Sequence, residues 1–282
     1  MARRIDWERN QSLQKMNKRT TGVNKPSLIV AAVLLALSAF SWAADNSIYI
    51  DQTGSNATVT ITQDGAGNVV KGIRGSNLGA ATDAAYINGD GMGITINQVG
   101  AGNTLSLGIN SVTAAGAAAT SVNYSATGGG NTGVINLNNS AVSGANSSTT
   151  LNISQTGGGN NTNVNVLGAK NVLNVTQTDG TATFSSIVNA DNTTQTINTS
   201  GGTGNSVTTN MTSNGGDLTL TAVGASNTFN VTQSAGGTLG QSATFLVNGS
   251  GNSITSTQSS SVDSILNVKV TGSSNTYTTI QR

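Results

Sequence analysis

Six times along this chain an asparagine is followed, after five intervening residues, by a glutamine: Asn46/Gln52, Asn171/Gln177, Asn189/Gln195, Asn227/Gln233, Asn252/Gln258 and Asn275/Gln281. Successive side chains of a strand point to opposite faces, so the even steps from each asparagine share one face. For Asn227 that face carries Phe229, Val231 and Gln233; for Asn171 it carries Leu173, Val175 and Gln177; for Asn46, Ile48, Ile50 and Gln52. The opposite face carries Thr228, Asn230 and Thr232 or their equivalents. The spacing predicts strands whose inward face reads amide, apolar, apolar, amide.

A buried amide costs free energy unless it is hydrogen-bonded, and one isolated copy rarely finds all its partners. Identical strands stacked about 4.8 Å apart remove that cost, because each amide bonds to the one above and the one below. Repetition is therefore what such a sequence needs. The turn-ending asparagines Asn205, Asn227, Asn252 and Asn275 follow one another at 22, 25 and 23 residues. A unit of this length holds two short strands and two tight turns, which is one coil of a flattened parallel β-solenoid. Alternation of the same kind marks Val59-Thr60-Ile61, Ile94-Thr95-Ile96, Leu105-Ser106-Leu107 and Leu218-Thr219-Leu220. The expectation is an all-β chain of about ten two-strand coils.

Composition narrows the function. The 282 residues include no His and no Cys, and only 8 % are charged. Histidine acid-base chemistry, Ser-His-Asp and Cys-His nucleophiles, ordinary zinc sites and disulfide scaffolds are excluded. The charges also divide. Residues 1–43 hold seven bases against Asp6 and Glu8, a net of +5, whereas residues 44–282 hold five bases against nine Asp, a net of −4. The basic stretch precedes an apolar run from Leu28 to Leu37 and then Ser41-Trp42-Ala43, which reads as a secretory leader cleaved between Ala43 and Ala44. Either Met1 or Met16 serves as its start. The run is well short of the roughly 20 apolar residues of a spanning helix. Residues 44–282, the expected solenoid domain, contain no Pro.

Three turns share the pattern Gln-x-Gly-x-Gly-Asn: Gln63-Asp64-Gly65-Ala66-Gly67-Asn68, Gln98-Val99-Gly100-Ala101-Gly102-Asn103 and Gln155-Thr156-Gly157-Gly158-Gly159-Asn160. Together with the Asn-to-Gln pairs they resemble the curlin repeat of bacterial curli fibres: Ser or Asn, five residues, Gln, four residues, Asn, five residues, Gln, with Gly between the central Gln and Asn. The resemblance spans nearly all of residues 44–282, but no coil holds all four polar positions: six after Asn68 stands Arg74, and six after Asn103 stands Ile109.

The resemblance implies secretion through an outer-membrane pore with accessory proteins. It also implies assembly at the bacterial cell surface into amyloid fibres, with itself or similar subunits as partner, supporting adhesion and biofilm matrix. No enzyme activity, cofactor, metal, small-molecule substrate or nucleic-acid partner is expected. The glycine turns end in Asn rather than the Asp of calcium-binding solenoids, and the net −4 disfavours nucleic acid. Asp51, Asp64, Asp179 and Asp263 fall at strand ends as gatekeepers against premature stacking, or simply as solubilising turn residues. Two other readings stay open. One is a solenoid adhesin displayed as a monomer; the other is an ice-binding solenoid, suggested by outward Thr-x-Thr rows such as Thr58-Val59-Thr60.

Overall fold

A computed structural model describes residues 46–71, 85–89, 91–113, 119–141, 149–178, 181–201, 204–224, 226–235, 240–249, 251–259, 264–272 and 274–281. The expected leader, its cleavage point between Ala43 and Ala44, and Asp179 and Asp263 lie outside the described residues.

The described residues form strands joined by turns, with no helix among them. In chain order the strands are β1 (Ser47–Tyr49), β2 (Asp51–Thr53), β3 (Thr58–Asp64), β4 (Val69–Lys71), β5 (Ala85–Asn88), β6 (Gly93–Val99) and β7 (Thr104–Thr113). There follow β8 (Thr120–Thr127), β9 (Thr132–Ala141), β10 (Thr149–Thr156), β11 (Asn160–Ala169), β12 (Val172–Thr178), β13 (Thr181–Asp191) and β14 (Thr194–Ser200). The last are β15 (Gly204–Ser213), β16 (Asp217–Val223), β17 (Thr228–Ala235), β18 (Ser242–Asn248), β19 (Ser253–Ser259), β20 (Ile265–Thr271) and β21 (Thr276–Gln281).

They pair in two parallel sheets that the chain visits alternately. Sheet I has twelve strands and runs β1-β4-β7-β9-β11-β13-β15-β17-β19-β21, with β2 and β5 alongside β1 and β4; sheet II has nine and runs from β3 to β20. Because β1 with β2, and β4 with β5, each form one rung, sheet I has ten levels and sheet II nine. The fold is a parallel β-solenoid, and level 10 consists of β21 alone among the described residues.

The period-two alternation explains why these residues form strands. In β8 the burial alternates strictly, with Thr120, Val122, Tyr124 and Ala126 inside and Ser121, Asn123, Ser125 and Thr127 outside. Stacking coils brings like against like, so Ile94, Val122, Leu151 and Leu173 form one continuous apolar column. Each such side chain contributes about 1.5–3 kcal/mol relative to exposure. The largest buried side chains, Tyr124, Phe184, Phe229 and Phe245, lie in the core from both sheets.

The turns set the spacing between levels. Gly65, Gly100, Gly128 and Gly157 have φ between 120° and 136°, a region that glycine alone occupies without strain. They also stack on one another: a Cβ on Gly100 would lie 1.7 Å from the Gly65 carbonyl oxygen, and one on Gly128 1.9 Å from that of Gly100. At this corner the levels touch backbone to backbone.

Candidate functional site

The asparagine that ends each glycine turn is the residue just before, or first in, a sheet I strand, and it points inward. Asn46, Asn68, Asn103, Asn131 and Asn160 succeed one another at levels 1 to 5, all but the half-buried Asn46 inaccessible to solvent. The Nδ2 of each donates to Oδ1 of the next, at 3.1, 3.0, 2.8 and 2.9 Å. From Asn68 on, the same Nδ2 also donates to the glycine carbonyl three residues earlier in its own turn, for example Gly100 for Asn103 at 2.8 Å. One side chain thus closes its turn and joins it to the next. Level 6 breaks the row, because Ala182 stands in register between Asn160 and Asn205. The row resumes from Asn205 to Asn227, Asn252 and Asn275, at 3.1, 3.0 and 3.0 Å.

Glutamines form two partial rows on opposite sheets. Across sheet II the register runs Gln63, Gln98, Ala126, Gln155, Gln177, Thr199, Ala222, Val247, Val270. Across sheet I it runs Gln52, Ile87, Ile109, Leu137, Val166, Val188, Met211, Gln233, Gln258, Gln281. The glutamines sit on sheet II up to level 5 and on sheet I at level 1 and from level 8 onward. Where one sheet carries them in the interior of the stack, the other carries aliphatic side chains.

Within these rows Gln98 Nε2 donates to Gln63 Oε1 at 2.9 Å, Gln177 to Gln155 at 2.9 Å and Gln258 to Gln233 at 3.0 Å. Each donation runs from the later level to the earlier. The asparagine donations run the other way.

Ala126 interrupts the sheet II row, and Tyr124 on the same strand supplies a replacement. Its hydroxyl donates to Gln98 Oε1 at 3.2 Å. Burial holds the phenol well above its ordinary value of 10.0, and Gln155 offsets part of that rise. The ring packs against Gly133 of β9, where a Cβ would lie 3.4 Å from Tyr124 Cε1.

The expected ladder residues divide accordingly. Gln63, Asn68, Gln98, Asn103, Gln155, Asn160, Gln177, Asn227, Gln233, Asn252 and Gln258 are buried and stand in the rows, and Asn46 and Asn275 close the asparagine row at either end. Four others differ. Asn189 lies outward near the C-terminal end of β13, because Ala182, Phe184, Ser186 and Val188 take the inward parity. Its partner by spacing, Gln195, is buried on sheet II between Leu173 and Leu218 in register, and the turn at Asn192 (φ 49°) separates the two. Asn171 is buried one residue before β12, on sheet II rather than in the asparagine row. Gln52 is half-buried and faces Ile87, so it meets no amide in register. Gln281 aligns with Gln258 but is exposed and donates to the Ser264 carbonyl instead. The pairing rule also passed over Asn131 and Asn205, whose sixth residues onward are Leu137 and Met211.

Both ends of the stack are open among the described residues. Every residue of β21 is exposed, and Tyr277, Ile280 and Val268 are 49 %, 44 % and 36 % accessible. The outer faces carry Thr, Ser and Asn, with Leu167, Ile187, Val223 and Leu246 exposed among them; on sheet II, Asn174 donates to Asn152 and Asn152 to Asn123, at 2.9 and 2.8 Å. Lys269 is exposed on β20. No family model, no curated protein and no solved structure matches this chain.

Proposed function

We propose that this chain is a secreted structural subunit that self-assembles into curli-like extracellular amyloid fibres supporting adhesion and biofilm matrix at a bacterial surface. The observation that carries the reading is the pair of open ends. Strands β3, β20 and β21 each have one neighbour among the described residues, so their outer backbone groups are a template for another chain. The asparagine row ends in step with this: among the described residues Asn46 is its first member and Asn275 its last. Low charge and the absence of Pro after residue 43 leave little to oppose stacking. The partner in this reading is another copy or a similar subunit, and export takes place through an outer-membrane pore in the unfolded state.

The test is thioflavin T fluorescence followed over time, with negative-stain electron microscopy, on the denatured and desalted chain from Ala44 to Arg282. Fibres that appear after a lag, shortened by preformed seeds, support the proposal. A β-rich monomer that stays soluble through the same incubation overturns it and makes the displayed adhesin the better reading.

A further inference from the structure

Several buried polar atoms around level 6 have no hydrogen-bond partner. From below, Gln177 turns its Oε1 upward, because its Nε2 is engaged downward with Gln155 Oε1 at 2.9 Å. That Oε1 is buried and has no hydrogen-bond partner. From above, Asn205 turns its Oδ1 downward, because its Nδ2 is engaged upward with Asn227, and this Oδ1 too is buried and unpartnered. At the level itself the Thr199 hydroxyl is buried without a partner. Asn160, beneath Ala182, has only a 3.5 Å contact with the Thr178 carbonyl for the N–H that its counterparts give to the next asparagine.

These groups face one place. Thr199 is in register with Gln177, and Ala182 is in register with both Asn160 and Asn205. Gln177 Nε2 also reaches the carbonyl of Thr183, the residue after Ala182, at 3.3 Å. Relative to its neighbours this level lacks one carboxamide at Ala182 and has a shorter side chain at Thr199 in the glutamine row. The residues that remain offer two acceptors, one donor and a hydroxyl that does either.

We infer that level 6 is a buried hydration site, in which two water molecules stand where the oxygen and nitrogen of the missing carboxamide would be. The lower water accepts from Asn160 Nδ2 and donates to Gln177 Oε1; the upper donates to Asn205 Oδ1; Thr199 and the water-to-water bond complete the set. Asn160 and Asn205 are two levels apart, about 9.6 Å along the stack, a gap too long for one water to bridge and suited to two. A polar site with three or more partners is the kind that holds ordered water, whereas an apolar void stays dry.

The site belongs to the folded solenoid and is the same in a monomer or a fibre, so its test does not depend on polymerisation. In proton-detected NMR of the full chain, magnetisation from water should reach the side-chain amide protons of Asn160, and not those of Asn103 or Asn131 inside the unbroken row. Ala182→Asn should abolish that transfer and raise the denaturant midpoint, since it restores the row. A second variant, Ala182→Val, should expel the water without satisfying the polar atoms and lower the midpoint. Asn160 amide protons as silent as those of Asn103 in the unmodified chain would overturn the inference, as would an Ala182→Asn chain that retains the transfer.

Discussion

The Tyr124 hydroxyl lies 3.2 Å from Gln98 Oε1 and substitutes for the side chain that Ala126 lacks. Tyr124→Phe leaves Gln98 Oε1 without this donor and should cost about 1–3 kcal/mol. The double variant Tyr124→Leu/Ala126→Gln should regain most of it. A glutamine at 126 can donate to Gln98 and accept from Gln155 Nε2, which is buried and otherwise acts only weakly on the Tyr124 phenol. Denaturant titration of the three chains decides the matter; a double variant weaker than Tyr124→Phe contradicts the substitution.

The same phenol predicts the response to alkali. Its pKa in the folded chain is raised above the unfolded value of 10.0 by burial. The folded state therefore keeps a proton that the unfolded chain loses, and stability falls as pH rises beyond about 10. Below that pH the contribution is complete. Alkaline unfolding followed by circular dichroism should show the decline, and Tyr124→Phe should remove this part of it.

Two glycines of one turn type should respond differently to alanine. Gly100→Ala places a Cβ 1.7 Å from the Gly65 carbonyl oxygen, so levels 2 and 3 must separate. The loss should exceed about 3 kcal/mol. Gly130→Ala meets nothing within 4 Å and suffers only from its φ of 73°, a cost of about 1 kcal/mol. Unfolding midpoints that rank the two equally would refute stacking of the turns.

Amides within and outside the rows should differ in sign. Asn252→Leu removes the acceptor for Asn227 and the donor to Asn275 and should cost about 2–4 kcal/mol. Gln233→Leu likewise strands the Gln258 amide. Both should slow fibre growth. Gln195→Leu should stabilise by about 1 kcal/mol, because Gln195 Nε2 is buried unpartnered between Leu173 and Leu218 and Ser186 retains its bond to Thr209. Growth kinetics and melting of the three variants, measured side by side, test the contrast.

Strand identity and turn position were legible in the sequence because both depend on neighbouring residues: alternation in Leu218-Thr219-Leu220, or Gly-x-Gly-Asn at residues 100–103. Which sheet a strand joins was not, since Asn171/Gln177 lies on sheet II and Asn227/Gln233 on sheet I at the same spacing. Asn189/Gln195 matched the spacing across a turn, where parity no longer carries through. The partnership of Tyr124, Ala126 and Gly133 involves two strands on opposite sheets, and no local pattern announces it.

The opposed directions of the two amide rows bear on how long such a stack can become. In an α-helix every peptide dipole points the same way, and charge builds up at the two ends. Here, where Asn68 donates forward to Asn103 and Gln98 donates back to Gln63, the side-chain dipoles of the two rows oppose one another at the levels that carry both. A coil that carries both amides therefore adds little to the net dipole of the stack, however many such coils precede it.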